Sequence, residues 1–205
     1  MPHPRNISRA STLCQKPYRG YRLLVIDGSD LHFTTDPTYR DTYFQSQPNT
    51  KGYNLLHLNA AYDLCNRLYV DALVQPRRLC NKGRALATMV GRSPIKGKTI
   101  VIADRGYESY NNLAHLERKG WNYVIRVKDL DSNGILSGLR LPSSGEFDRH
   151  IHLTLTKKQT KEVKAHPEIY NSSLPLLLLI FWIDRRTCIT LLLSGCSFCP
   201  VQWCI

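Results

Sequence analysis

Two apolar stretches of this chain each close on a carboxylate and a nearby glycine: Leu23-Leu24-Val25-Ile26-Asp27-Gly28-Ser29 and Thr99-Ile100-Val101-Ile102-Ala103-Asp104-Arg105-Gly106-Tyr107. A β-branched apolar run reads as a buried strand, and an acid at its end stands at a sheet edge that a metal ion or ligand can reach. If the two strands are neighbours, Asp27 and Asp104 meet, and paired carboxylates suit a hard divalent cation. The bland alternative makes both aspartates strand-end turn formers. Three other polar groups carry plainer readings. Asp63 reads as a turn residue, Asp71 as an exposed strand residue, and His57 as a hydrogen-bonded structural group.

The elements that must position the two acids follow from periodicity. Strand one covers Tyr21–Ile26, and Asp30 to Pro48, rich in Thr, Asp, Tyr and Pro, reads as an irregular excursion. Two strands, Gly52–Tyr62 and Leu68–Val74, flank a short polar turn and form an antiparallel hairpin. A helix is predicted over Asn81–Val90, with Leu86, Met89 and Val90 inward, then the strand ending at Asp104. A second helix spans Ser109–Lys119 with Gly120 as its stop, and Trp121–Val127 forms the last strand. Three antiparallel strands followed by alternating helix and strand is the order of ribonuclease-H-like folds, an α/β class with a mixed sheet. In those folds the first strand lies beside the strand that follows the first helix.

Composition narrows the partner. The 205 residues carry a formal charge of +12, which favours a polyanion such as nucleic acid over a small metabolite. Basic groups would hold phosphates while the acids hold metal. Lys51, Arg77, Arg78, Lys82, Arg84, Arg92, Lys96 and Lys98 are candidates for a DNA-facing surface, and Lys157, Lys158, Lys161 and Lys164 form a second basic cluster. Of the seven cysteines, Cys196 and Cys199 have half a zinc spacing, but no second pair follows. No apolar signal opens the chain, so free thiols in a reducing cytoplasm are expected, with no membrane association.

With these motifs laid out, the chain resembles the Asp-Asp-Glu transposases of bacterial insertion sequences, in particular the insertion-sequence-four family. The resemblance rests on Val25–Ser29, on Lys51–Leu64, on Ile102–Tyr110, and on Trp121–Asp129 and Leu155–Pro167; it spans roughly residues 21–170. It implies a ribonuclease-H-like catalytic domain that binds two Mg²⁺ ions, cuts the element's ends and joins them to target DNA. Asp27 and Asp104 match the family's first and second acids, as catalytic and metal-binding residues. The partners implied are insertion-sequence ends, target DNA and other transposase subunits, in a bacterial cytoplasm.

The chain also departs from that pattern. The family's third acid lies in a Tyr-x2-Arg-x3-Glu-x6-Lys signature that this sequence lacks: Tyr123-Val124-Ile125-Arg126 begins like it, but Leu130 stands at the Glu position. Glu162 and Glu168 lie too early and lack the surrounding Tyr and Arg. The expected organisation is therefore an irregular leader over 1–20, a partial catalytic core over 21–130, the start of a β-rich insertion over 131–173, and a non-matching tail over 174–205. The tail, with Asp184, Arg185 and Arg186 as its only charges, reads as a frameshifted product. The expectation is an inactive fragment truncated at both ends. The alternatives are a dead DNA-binding remnant and an unrelated ribonuclease-H-like nuclease. A missing covering helix would leave an apolar sheet face exposed and the protein poorly soluble.

Overall fold

The computed structural model describes residues 16–128, 132–137 and 139, together with the backbone of strands 147–154, 175–183 and 188–193. The elements run β1 (Arg22–Phe33), β2 (Tyr43–Phe44), β3 (Tyr53–Asp63), β4 (Leu68–Pro76), α1 (Lys82–Arg92), β5 (Thr99–Ala103), α2 (Tyr110–Arg118), β6 (Asn122–Val127), β7 (Phe147–Thr154), β8 (Pro175–Ile183) and β9 (Cys188–Leu193). All of these strands join one mixed sheet in the order β2-β3-β1-β5-β6-β9-β8-β7, with β4 also paired to β3. The class is α/β. The pairs β1–β5 and β5–β6 are parallel; β1–β3, β3–β4, β6–β9, β8–β9 and β7–β8 are antiparallel.

Local chemistry sets the helix boundaries. Asn81 caps α1, its side chain accepting from the Arg84 amide at 2.9 Å, and Ser109 caps α2 by accepting from Asn112 at 3.1 Å. Gly120, at φ +71°, takes the left-handed position that ends α2. Both helices pack on the same sheet face. There Leu86, Met89 and Val90 of α1 and Leu113 and Leu116 of α2 meet Leu24, Ile26, Val101, Ala103, Tyr123 and Ile125. Each of the buried Leu, Ile, Val and Met side chains among them stabilises the fold by about 1.5–3 kcal/mol before the cost of ordering it.

The other face carries Leu23, Val25, Leu56, Leu58, Tyr62, Ile100, Ile102 and Val124, all only partly buried. No described helix covers it. Alternation along the strands explains the asymmetry, since every second residue points away from α1 and α2.

Two expectations need correction. Strand one does not stop at Ile26: β1 continues through Gly28, Ser29 and Asp30 to Phe33, so Asp27 lies mid-strand rather than at a strand end. Gly28-Ser29-Asp30 has turn-forming residue types, but β3 runs alongside from Leu24↔Asp63 to Phe33↔Asn54, and that ladder overrides local propensity. The excursion over 30–48 is shortened accordingly and also contains β2. The segment 174–205, expected to be a non-matching tail, contains β8 and β9, and β9 pairs with β6 and β8. Within the segment expected to begin a β-rich insertion, residues 147–154 form β7. Residues 1–15, the lysines at 157, 158, 161 and 164, Glu162, Glu168, and Cys14, Cys196, Cys199 and Cys204 lie outside the described residues.

Candidate active site

Parallel pairing between β1 and β5 fixes where the two acids stand. The register runs from Arg22↔Thr99 to Ile26↔Ala103, and the next position on each strand is an aspartate: Asp27 and Asp104. Neighbouring strands lie about 4.8 Å apart, so consecutive register positions bring their side chains within reach of one ion. Both aspartates are exposed. Each uses one oxygen locally: Asp27 Oδ1 accepts from the Gly28 amide at 2.7 Å, and Asp104 Oδ1 accepts from the Gly106 amide at 2.9 Å. The other carboxylate oxygen of each is left for an outside ligand.

Asp104 closes β5 and caps the 3-10 turn Arg105–Tyr107. That turn is held down by Tyr107, which is fully buried. The Tyr107 hydroxyl donates to Asn59 Oδ1 on β3 at 2.9 Å, and the Tyr107 carbonyl accepts from Asn112 Nδ2 of α2 at 2.8 Å. Burial, reinforced by the negative charges of Asp27 and Asp104, pushes the Tyr107 phenol far above its ordinary range, so it stays a neutral donor. Arg105, next to Asp104, is exposed.

A second polar group sits further along β1. His57 Nδ1 lies 2.5 Å from Asp30 Oδ1, and Arg77 Nε lies 3.3 Å from Asp30 Oδ2. The hydrogen bond from His57 and the Arg77 charge hold the Asp30 carboxyl below the usual carboxylate range. Asp30 is thus committed to its own partners. Among the described residues no cluster of three or more His, Cys, Asp or Glu side chains is arranged to hold a metal ion. The donor set at the β1–β5 edge is two adjacent carboxylates, hard oxygen ligands of the type magnesium takes in twos, with water filling the rest of its shell. The residues present therefore fit such an ion as a two-carboxylate site.

The sequence matches the family described as transposase DDE domain over residues 18–185. The chain belongs to this family. Among solved structures it is similar to a piggyBac transposase in a synaptic complex with hairpin DNA, determined by cryo-electron microscopy. The TM-score is 0.51 at 16% identity, over 89% of this chain and 34% of that one. That likeness shows a shared fold, and the chain spans about a third of the transposase it matches. No curated protein matches it.

The transposase DDE domain match covers β1, β5 and both acids, and it runs on through β8 to residue 185. The candidate DNA-facing basic residues differ in their surroundings. Arg92 is engaged by Asp71 at 2.5 and 3.0 Å and by the Ala72 carbonyl; Asp71 lies on strand β4 as expected, but it is half-buried and ion-paired rather than exposed. Arg78 donates to the Tyr43 carbonyl at 2.7 Å. Lys82 stands differently, half-buried with its ammonium 5.2 Å over the Tyr107 ring, beside the Asp104 turn. Lys51, Arg84 and Lys96 are exposed. No described helix is long and apolar enough to cross a membrane.

Residue-type reasoning singled out Asp27 and Asp104 and read His57 as a hydrogen-bonded structural group, as its bond to Asp30 shows it to be, but missed Asn59 and the pairing of Asp30 with His57 and Arg77. The signal was present: with strand one extended through Gly28, antiparallel counting puts Asn59 opposite Gly28 and His57 opposite Asp30. Tyr107, at the end of the second motif, is fully buried and belongs to the interior. Asp63 does serve its turn, accepting from the Cys65 and Asn66 amides at 3.1 and 3.0 Å, but it is also buried and 3.5 Å from Arg22.

Proposed function

We propose that this chain is the part of a DNA transposase that supplies the first two acids of a divalent-metal site, Asp27 and Asp104. The supporting observation is their place one step past Ile26↔Ala103, on adjacent parallel strands inside the family match. The free oxygens of Asp27 and Asp104 would hold Mg²⁺. When bound, such a metal activates the attacking oxygen and stabilises the leaving oxygen of a phosphoryl transfer on DNA. The Gly28 and Gly106 amides orient the carboxylates by binding their inner oxygens, and the exposed lysines and arginines hold phosphates. DNA, as element ends and target, is the substrate, and further transposase subunits are partners. The finer reading is a ribonuclease-H-like core of the insertion-sequence-four type, from bacteria and working in the cytoplasm.

With two acids in place of three, the chain by itself binds DNA and a divalent ion but cleaves little. Purified chain is incubated with element-end DNA in Mg²⁺ or Mn²⁺, alongside the Asp104→Asn variant. The expected result is salt-sensitive DNA binding with little strand cleavage. Robust cleavage that disappears in Asp104→Asn would overturn the inactivity, and the same cleavage on DNA without element ends would favour a general nuclease.

A further inference from the structure

The β1–β5 register sets Asp27 opposite Asp104, and β3 holds Asp27 in its own ladder, but Asp104 lies one residue past the end of β5, on a turn that no strand pairing holds. One side chain touches both segments. Tyr107 lies at the end of the turn that Asp104 caps, and its hydroxyl sits 3.0 Å from the point a β-carbon on Gly28 would occupy, directly after Asp27. His57 Nε2 presses on the same point from β3, at 2.6 Å. Only glycine leaves room for both groups against β1. The hydroxyl is itself fixed: it donates to Asn59, whose amide reaches Gln75 Oε1 at 3.3 Å, which in turn accepts from the Asn81 amide at the start of α1. The turn that carries Asp104 is thus referenced to β1, β3, β4 and α1 through one phenol.

We propose that Tyr107 is the positioning residue that sets the spacing of Asp27 and Asp104 for a shared divalent ion, by wedging the Asp104 turn against Gly28 and locking it to Asn59. The inference rests on the reading of the two acids as a metal site, and deepens it. Tyr107 does not touch the ion; it acts through strand β1 and the 3-10 turn after Asp104, whose Gly28 and Gly106 amides bind the acids' inner oxygens.

The test uses the full chain and two readouts. The first is amide hydrogen exchange at Gly28 and Gly106 without metal. The second is Mn²⁺ affinity, compared among wild type, Tyr107→Phe, Asp104→Asn, and Asp71→Ala, which breaks an ion pair on another part of the fold. Loss of the hydroxyl hydrogen bond is expected to speed exchange at both glycines about fivefold to tenfold and to weaken Mn²⁺ by a similar factor. Asp71→Ala is expected to lower the melting temperature while leaving both readouts unchanged. Wild-type exchange and affinity in Tyr107→Phe would overturn the proposal, as would equal losses in Asp71→Ala. If Asp104→Asn binds Mn²⁺ as tightly as wild type, the metal site itself is wrong and the proposal falls with it. Faster exchange at both glycines in Tyr107→Phe would then show that the mechanical coupling exists and that the failed element is the site.

Discussion

Replacing Gly28 with alanine tests the packing around the site through a single carbon atom. A β-carbon there would stand 2.6 Å from His57 Nε2, closer than real β-carbons come to other atoms, and 3.0 Å from the Tyr107 hydroxyl, tighter than nine in ten real contacts. Neither neighbour can easily retreat. His57 is held by Asp30 and is 5% exposed; Tyr107 is held by Asn59 and is fully buried. Overpacking of this kind costs about 1–3 kcal/mol. At about 2–4 °C per kcal/mol for a chain of this size, the melting temperature should fall by about 4–8 °C for a 2 kcal/mol loss. Gly91 is the internal control, because the same substitution meets nothing within 4 Å on the exposed side of α1. There alanine should stabilise by about 0.4–1 kcal/mol, by lowering the entropy of the unfolded chain. The assay is paired urea and thermal unfolding of Gly28→Ala and Gly91→Ala. Two shifts of opposite sign are expected. Gly28→Ala with wild-type stability would refute the wedge of His57 and Tyr107 against β1.

Other consequences are equally direct. Asp63→Ala should cost about 3 kcal/mol in urea unfolding, because it strips the Cys65 and Asn66 amides of their acceptor and leaves Arg22 without its buried counter-charge. Asp104→Asn should change stability by less than about 0.5 kcal/mol, since asparagine caps as well as aspartate, while metal binding is lost; a large fall in melting temperature would assign Asp104 a structural role instead. Burial pushes the Glu117 carboxyl up from 4.5 to about 7, against the hydrogen bond from the Tyr123 hydroxyl. Because the folded state prefers the protonated acid, this contribution to stability is complete below pH 4.5 and is lost as pH rises towards 7. The full shift would correspond to about 3 kcal/mol, and solvent screening of a half-buried group reduces that to about 1 kcal/mol. Glu117→Gln should therefore be more stable than wild type at pH 8 by about 1 kcal/mol and equal to it near pH 4.5; equal stability at both pH values would contradict the burial argument.

Much of the core was legible because its elements carry strong periodic signals. The caps Asn81 and Ser109 and the stop at Gly120 mark both helices within a residue or two of where they lie. The continuous apolar runs Leu23–Ile26 and Thr99–Ala103 mark two strands but not which side of each is buried; the structure puts Leu24, Ile26, Val101 and Ala103 against the helices. What escaped was tertiary in origin. Gly28-Ser29-Asp30 reads as a turn until β3 is known to run beside it, and only that pairing reveals why glycine is needed and why Asp30 faces His57. Similarly, Cys188–Leu193 has no amphipathic signature of its own; β6 and β8 on either side supply its backbone partners. The pairing of Asp27 with Asp104 was inferred from acids at two strand ends. Register brings them together even though β1 runs on past Asp27.

The shared site is tested most directly by a double-mutant cycle on divalent-ion affinity. Mn²⁺ binding to the full chain is measured by titration for wild type, Asp27→Asn, Asp104→Asn and the double variant. If both carboxylates hold one ion, each single substitution removes most of the affinity and the double variant loses little more. Additive losses, or a single substitution that leaves Mn²⁺ binding intact, would contradict the account.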